Sequence, residues 1–275
     1  MLPKPLAPVA GEPAVRRLLR RLTALDLDAV ALNLHHGGDL IERCVGPGPV
    51  FIREDWLRGT AGALAGAAPF LRAGADFLVA SSDGVHEIDL DALIQRHRDS
   101  GAAATITVKP LGRPERCAVV GLDAQGLVER FVEKPPPGEV LSDLASVGVY
   151  CFAADVLDLI PQERPFDIAG ELIPALLAAD MPVAAYRTDA YWSDIGEAGE
   201  LLAANLRLGH VAADCAIAGD AVVEQPVMIG PSSRVGAGAV VRNALVLPGA
   251  VVPDGAVVDG VIHGSGADVL RVWLR

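Results

Sequence analysis

Lysine is nearly missing from this 275-residue chain: Lys4, Lys109 and Lys134 are the whole supply, and arginine carries the remaining positive charge. Side chains this scarce mark positions to follow, although most lysines only solvate a surface. Aromatic residues make up 4% of the sequence, so a core has to come from Leu, Val, Ile and Ala. The four cysteines, Cys44, Cys117, Cys151 and Cys215, form no C-x-x-C pair. That excludes a zinc finger or a disulfide framework and leaves Cys151, within Val149-Tyr150-Cys151-Phe152, as a small apolar residue. No apolar run reaches the roughly 18 to 20 residues that cross a bilayer. Met1–Pro5 lacks the basic start and apolar run of a signal peptide. The expectation is a cytoplasmic protein without membrane contact. Positive charge is also short, 23 Lys and Arg against 35 Asp and Glu, for a net charge of -12. Such a balance removes the basic face that a nucleic acid needs, yet a small phosphorylated ligand needs only a few local cations.

What is present is a chain that is 51% hydrophobic and 21% charged, a composition that folds. Pro13-Ala14 opens a helix with Val15, Leu18, Leu19, Leu22 and Leu25 on one face and arginines on the other. Ala29–Leu34, Val50–Arg53, Phe77–Ala80, Ala104–Val108 and Ser146–Phe152 read as strands. Thr60–Leu71, Asp89–Arg98, Ile168–Ala178 and Glu197–Leu206 read as helices. Between Cys117 and Lys134 a hairpin is expected, with Gly126 at a turn position of positive φ. Tyr191–Gly196 reads as a loop. The β-α-β rhythm implies a three-layer α/β domain with a mainly parallel sheet.

From about Ala216 the period becomes six: Ile217, Val223, Ile229, Val235, Val241 and Leu247, with glycines between them. One aliphatic per hexapeptide fits a parallel β-helix, in which each hexapeptide forms one side of a coil. About two coils are available, so they need support from the α/β domain or from a second copy. An acyltransferase built on these repeats is disfavoured, because the run is short and His263 is its one local histidine. His35-His36 reads as loop filler rather than as metal ligands.

Four segments carry possible chemistry: the proline-rich stretch Pro3–Pro13 around Lys4; Gly59-Thr60-Ala61-Gly62-Ala63 at a helix start; Asp83 at the end of a strand; and Glu133-Lys134-Pro135-Pro136 together with Asp194 in Trp192-Ser193-Asp194-Ile195-Gly196. Helix-start N–H groups at Gly59–Ala63 suit an anion or a base edge, and the same small residues suit helix packing equally. Loops at the carboxyl ends of strands are where open α/β sheets place ligands.

Taken in order and spacing, Pro3–Gly11, Gly59–Ala63, Phe77–Leu90, Phe131–Pro135, Ser142–Phe152 and Tyr191–Gly196 resemble the sugar-1-phosphate nucleotidyltransferases, particularly their mannose-1-phosphate guanylyltransferase-like branch. That resemblance implies a Rossmann-like nucleotidyltransferase domain over residues 1–210 and a short left-handed parallel β-helix over 211–275, through which copies associate. It implies nucleotidyl transfer from an NTP, GTP by the branch, to a sugar 1-phosphate, mannose 1-phosphate by the branch, with release of pyrophosphate. Asp83 and Asp194 match ligands of Mg²⁺, which would set their carboxylates within about 4 to 8 Å of each other. Lys134 matches the lysine that holds the sugar phosphate, and Lys4 one near the NTP phosphates. Gly59, Thr60 and Ala61 match nucleotide contacts; Glu133, Ser146 and Gly148 match sugar contacts. Ser82 stands where the family usually has Gly, and Ser146 where it has Asn. Members also begin with a strand and a GGxGTRL loop, which this sequence lacks. The resemblance places that strand centrally, so its neighbours are expected unpaired and pyrophosphorylase activity from Met1 onward is expected to be low. Three readings follow: the loop is encoded just upstream of Met1, the chain is a catalytically impaired, nucleotide-sugar-binding regulatory subunit, or the site works differently.

Overall fold

Pro13, which has no N–H to leave unpaired, stands at the N-cap of helix α1 (Ala14–Leu22), which buries Val15, Leu18 and Leu19 and turns Arg16 and Arg20 outward. Before it, β1 (Pro8–Val9) and β2 (Glu12–Pro13) form a two-residue ladder. The computed structural model describes residues 3–74, 76–136 and 138–264. After α1 come β3 (Ala31–Leu34), α2 (Gly38–Val45), β4 (Val50–Arg53), α3 (Gly59–Gly66), α4 (Ala68–Leu71), β5 (Asp76–Ala80), β6 (Gly84–His86) and α5 (Leu90–Ser100). The single helix expected over Thr60–Leu71 is thus two, because Pro69 carries no N–H with which to continue the α3 ladder. Asp89 caps α5 by accepting from the Ala92 N–H at 3.0 Å.

The central sheet continues with β7 (Ala104–Pro110), β8 (Ala118–Leu122), β9 (Val128–Glu133), β10 (Leu144–Ala153) and, after α6 (Ile173–Ala178), β11 (Val183–Arg187). A π-helical turn, Ile168–Leu172, leads into α6. The strand order is β11-β7-β10-β8-β9, with β5 also on β10. The expected mainly parallel sheet is mixed. β11 lies parallel to β7, but the ten-residue β10 runs antiparallel to β5, β7 and β8. The 118–133 hairpin turns at Gly126 with φ +79, and β10, antiparallel to β8, runs in the same direction as β9. Side chains on β10 alternate between two cores: Tyr150 and Phe152 face Ile106, Leu172 and Leu176, while Val147, Val149 and Cys151 face Ile88 and Leu93.

Among the described residues β3 pairs only with β4, and β5 only with β10. Each keeps one edge without a strand partner. Apart from the buried Leu34, their apolar residues remain half-exposed, where a sheet covered by helices would bury them.

The remaining elements are β12 (Trp192–Asp194), α7 (Ala198–Leu208), β13 (Ala216–Ile217), β14 (Val222–Ile229), β15 (Arg234–Val235), β16 (Val240–Val246), β17 (Val251–Val252), β18 (Val257–Asp259) and β19 (Ile262–His263). From β13 on, every ladder among the described residues is parallel. Ile217 pairs with Val235 and Val235 with Val252; Val223 pairs with Val241 and Val241 with Val258. These stacks do not stand apart. Val227, Met228, Ile229 and Leu245 share one buried cluster with Ala7, Val9, Val85, Ile195 and Leu201. No helix among the described residues is long and apolar enough to cross a membrane.

Phe152 is fully buried, with its ring centroid 5.6 Å from Phe77 and 5.7 Å from Tyr150. Phe152→Ala is expected to cost about 3 to 5 kcal/mol of unfolding free energy, measurable by urea titration; a loss below about 1 kcal/mol would contradict this packing.

Candidate active site

Trp192-Ser193-Asp194 is a strand rather than the expected loop. It pairs antiparallel with β6, Trp192 opposite His86 and Asp194 opposite Gly84. Ser193 and Ile195 point inward and are buried, so Trp192 and Asp194 take the other side. This ladder brings Asp194 beside Asp83, and the Ile195 N–H donates to the Asp83 carbonyl at 3.2 Å. Lys4 Nζ lies 3.9 Å from Asp83 Oδ2. Lys4 Nζ and Asp194 Oδ1 both come within 3.2 Å of the point where a Cβ on Gly196 would sit. Two carboxylates and one ammonium therefore gather around β6, β12 and the N-terminal segment.

The Asp194 carboxyl is held above the usual carboxylate range, first by burial, then by the Asp83 charge, with Lys4 opposing. A short Ser81 hydroxyl contact and the Gly196 N–H fix the two carboxylates. Hard oxygen donors that repel one another suit a divalent cation. Among the described residues no cluster of three or more His, Cys, Asp or Glu forms a fuller metal cage.

A cleft of about 430 Å³ opens at the carboxyl ends of β3 and β5, lined by Lys4, Asn33, Glu54, Gly59, Thr60 and Asp83 among others. The helix start at its wall is already engaged. Thr60 N–H and hydroxyl donate to Asp167, and the Ala61 and Gly62 N–H groups both donate to the Phe166 carbonyl at 2.9 Å. Those donors hold the 166–168 segment and are not free for an anion, which corrects the anion reading of this segment. Gly59 is required there: φ is +77, and a Cβ would sit 2.7 Å from the Phe166 carbonyl oxygen. Ala61 is fully buried and presents no side chain to the cleft.

Lys134 follows β9 with φ +45, a left-handed conformation costing a non-glycine residue about 1 kcal/mol. Its N–H donates to the Cys117 carbonyl at 3.1 Å, and its exposed Nζ is 3.5 Å from Glu133 Oε1. Cys117 registers the neighbourhood: burial raises its thiol first, and the charges of Glu133 and Asp194 raise it further. Glu133, Lys134 and Asp194 thus surround one residue. Gly148 accepts from the Ser81 N–H at 3.2 Å with φ +72, next to the Asp83 loop. Ser146 is the exception. It is buried, its hydroxyl donates to Tyr150 at 3.2 Å, and it does not face the cleft.

Sequence reasoning passed over Asn33 and Glu54, and set His35 aside as loop filler. Asn33 Nδ2 donates to Glu54 Oε2 at 3.0 Å, and His35 Nδ1 lies 3.0 Å from the Glu54 carbonyl. The other carboxylate oxygen of Glu54 is buried without a partner. The available signal was position: these residues lie at or just past the carboxyl ends of β3 and β4.

Comparison with known proteins places residues 2–210 within the nucleotidyl transferase family model. A mannose-1-phosphate guanylyltransferase of Mycobacterium tuberculosis is 29% identical over 98% of this chain and 77% of its own length. A UTP–glucose-1-phosphate uridylyltransferase of Synechocystis is 31% identical over 71% of this chain, which spans 55% of that protein. Among solved structures, HddC from Yersinia pseudotuberculosis superposes with a TM-score of 0.60 at 24% identity, over 70% of this chain and 84% of that one.

A raised Asp194 pKa means that the fold favours the protonated acid. The charge pair therefore costs stability at pH above that value and nothing below the ordinary carboxylate range. Asp194→Asn, which keeps Oδ1 for Gly196, is expected to raise Tm at pH 7 without divalent cations. The gain should fade by about pH 3.5. A variant less stable than the parent at pH 7 would remove the repulsion argument.

Proposed function

The chain belongs to the nucleotidyl transferase family, and on that premise we propose that it joins a nucleoside triphosphate to a sugar 1-phosphate and releases pyrophosphate. The observation that carries the proposal is the meeting of Lys4, Asp83 and Asp194 beside the β3/β5 cleft. In this reading the triphosphate lies in the cleft with Lys4 against its phosphates. Lys134, held outward by its left-handed backbone, takes the sugar phosphate. Glu133 accepts from sugar hydroxyls. A phosphate oxygen of the sugar 1-phosphate attacks the α-phosphorus, the bond to the β-phosphate breaks, and pyrophosphate departs. The protein's part is positioning and charge neutralisation rather than covalent chemistry. Asp83 and Asp194 are the residues that would hold Mg²⁺, which supplies neutralisation of the triphosphate when bound.

GTP is the proposed base donor because of Glu54. Glu54 lines the cleft and has one buried carboxylate oxygen that no protein group satisfies, and guanine presents two adjacent N–H donors on one edge whereas uracil and thymine present one. Mannose 1-phosphate is proposed as the acceptor from the relatives' names alone. The parallel ladders after β13 are proposed to wind as a left-handed β-helix that joins copies of the chain, in a cytoplasmic protein.

A second reading, a nucleotide-sugar-binding regulatory subunit, draws on the strand edges of β3 and β5. Among the described residues no glycine-rich loop stands between them to cradle phosphates.

The test is pyrophosphate release from GTP and mannose 1-phosphate with Mg²⁺, repeated with the other nucleotides and with glucose 1-phosphate. Lys134→Ala is expected to lower kcat/KM about 10²–10³-fold without changing Tm. Glu54→Gln is expected to lower kcat/KM with GTP more than with UTP. Absence of turnover with every pair, while GDP-mannose still binds, would favour the regulatory reading.

A further inference from the structure

Behind the β6–β12 ladder lies a small cavity with no role in nucleotidyl transfer as read above. It sits between α1 (Ala14–Leu22) and β6 (Gly84–His86), is lined by Arg17, Arg21 and His86 beside Ala14, Leu18 and Val85, and has room for one water-sized species. His86 is 4% exposed. Arg21 Nη1 lies 2.8 Å from His86 Nδ1 and also donates to the His86 carbonyl, while its other terminal nitrogen donates to the Ile88 carbonyl. A guanidinium only donates, so Nδ1 must be the acceptor and the imidazole proton is on Nε2. Burial first, then Arg21 and Arg17, push the His86 pKa down to about 4, so the ring is neutral at pH 7.

Two buried donors are then left over. His86 Nε2 and Arg17 Nε are each buried without a hydrogen-bond partner. An orphaned buried donor costs about 1 to 3 kcal/mol, so both call for an acceptor. Charge points the same way. Neither Arg17 nor Arg21 takes part in an ion pair among the described residues. Glu87 and Asp89 act on Arg21 only through their charge and are engaged elsewhere: Glu87 lies 3.4 Å from Arg207, and Asp89 caps α5. A water there would accept two hydrogen bonds, but the lining side chains, Ala14, Leu18 and Val85 beside the donors Arg17, Arg21 and His86, offer its own protons no acceptor. An anion only accepts.

We propose that the cavity between α1 and β6 is a binding site for one small monovalent anion of halide size, chloride in a cell, held by Arg17 Nε–H, His86 Nε2–H and the positive charge of Arg21. The proposal does not rest on the nucleotidyl-transfer reading. The anion would lock α1 to the strand that follows Asp83, and so would belong to the support of that loop.

Thermal unfolding of the full chain at fixed pH and ionic strength, with sodium gluconate replaced stepwise by sodium bromide or chloride, tests it. A bulky gluconate does not fit the cavity. Halide is expected to raise Tm saturably, by roughly 3 to 8 °C at about a hundredfold excess over Kd. Arg17→Gln is expected to weaken the half-saturating halide concentration at least tenfold. Arg16→Gln, an exposed neighbour that donates to the Cys44 carbonyl, is expected to leave it unchanged. Bromide-soaked crystals of the parent protein should show an anomalous peak within hydrogen-bonding reach of Arg17 Nε and His86 Nε2, a readout that stands even if Arg17→Gln fails to fold. Equal Tm in halide and gluconate, an unchanged halide response in Arg17→Gln, or a water with no bromide peak at the site would each overturn the proposal.

Discussion

Three paired residues, Gly84–His86 against Trp192–Asp194, hold the candidate site together. Without that antiparallel ladder Asp83 and Asp194 would belong to separate loops, and Lys4 would have one carboxylate to face rather than two. Its cost is visible in the raised Asp194 carboxyl, where burial and a like charge act in the same direction. Its support comes from both sides. Arg21 grips the main chain after β6, and Ile195 and Val85 sink into the same buried cluster. A site that places two like charges side by side needs such backing, because the charges themselves push it apart.

Most of the fold was legible because its elements obey simple periods. Val15, Leu18 and Leu19 repeat at helical spacing, β10 alternates between two cores, and the six-residue spacing from Ile217 to Leu247 matches parallel ladders in register. What was misread has local causes. The break at Ala67 follows from one missing N–H at Pro69. The direction of β10 depends on how the chain rejoins the sheet after the hairpin, and hairpin signals say nothing about where the next strand will join. Trp192–Asp194 is three residues long, too short for alternation to show against a loop.

The site was legible in its residue types but not in their contacts. Lys4 and Lys134 stand out in a chain with three lysines; the structure brings Lys4 to Asp83 and Asp194, and sets Lys134 beside Glu133 and Cys117. Ala61 and Ser146 did not announce their burial, since small residues suit a ligand contact and a tight core equally well. The N–H groups of Thr60–Gly62 were readable as free donors only so long as Phe166 and Asp167, a hundred residues away, were out of view. Glu54 was missed because a lone acidic residue after a strand looks like any other surface carboxylate until its second oxygen is found buried.

The shared cluster that joins Met228, Ile229 and Leu245 to Ala7, Val9, Ile195 and Leu201 has a consequence for ancestry. A stack of hexapeptides is easily pictured as a cassette, shuffled onto one catalytic domain after another. Here its inner side chains interlock with the segment that bears Lys4 and with the residue next to Asp194. Transplanting it onto a distant relative would require the recipient to change Ala7, Val9 and Leu201 in concert. The two halves of this chain are therefore expected to have diverged as one lineage, with substitutions in the stack answered by substitutions at the opposite terminus.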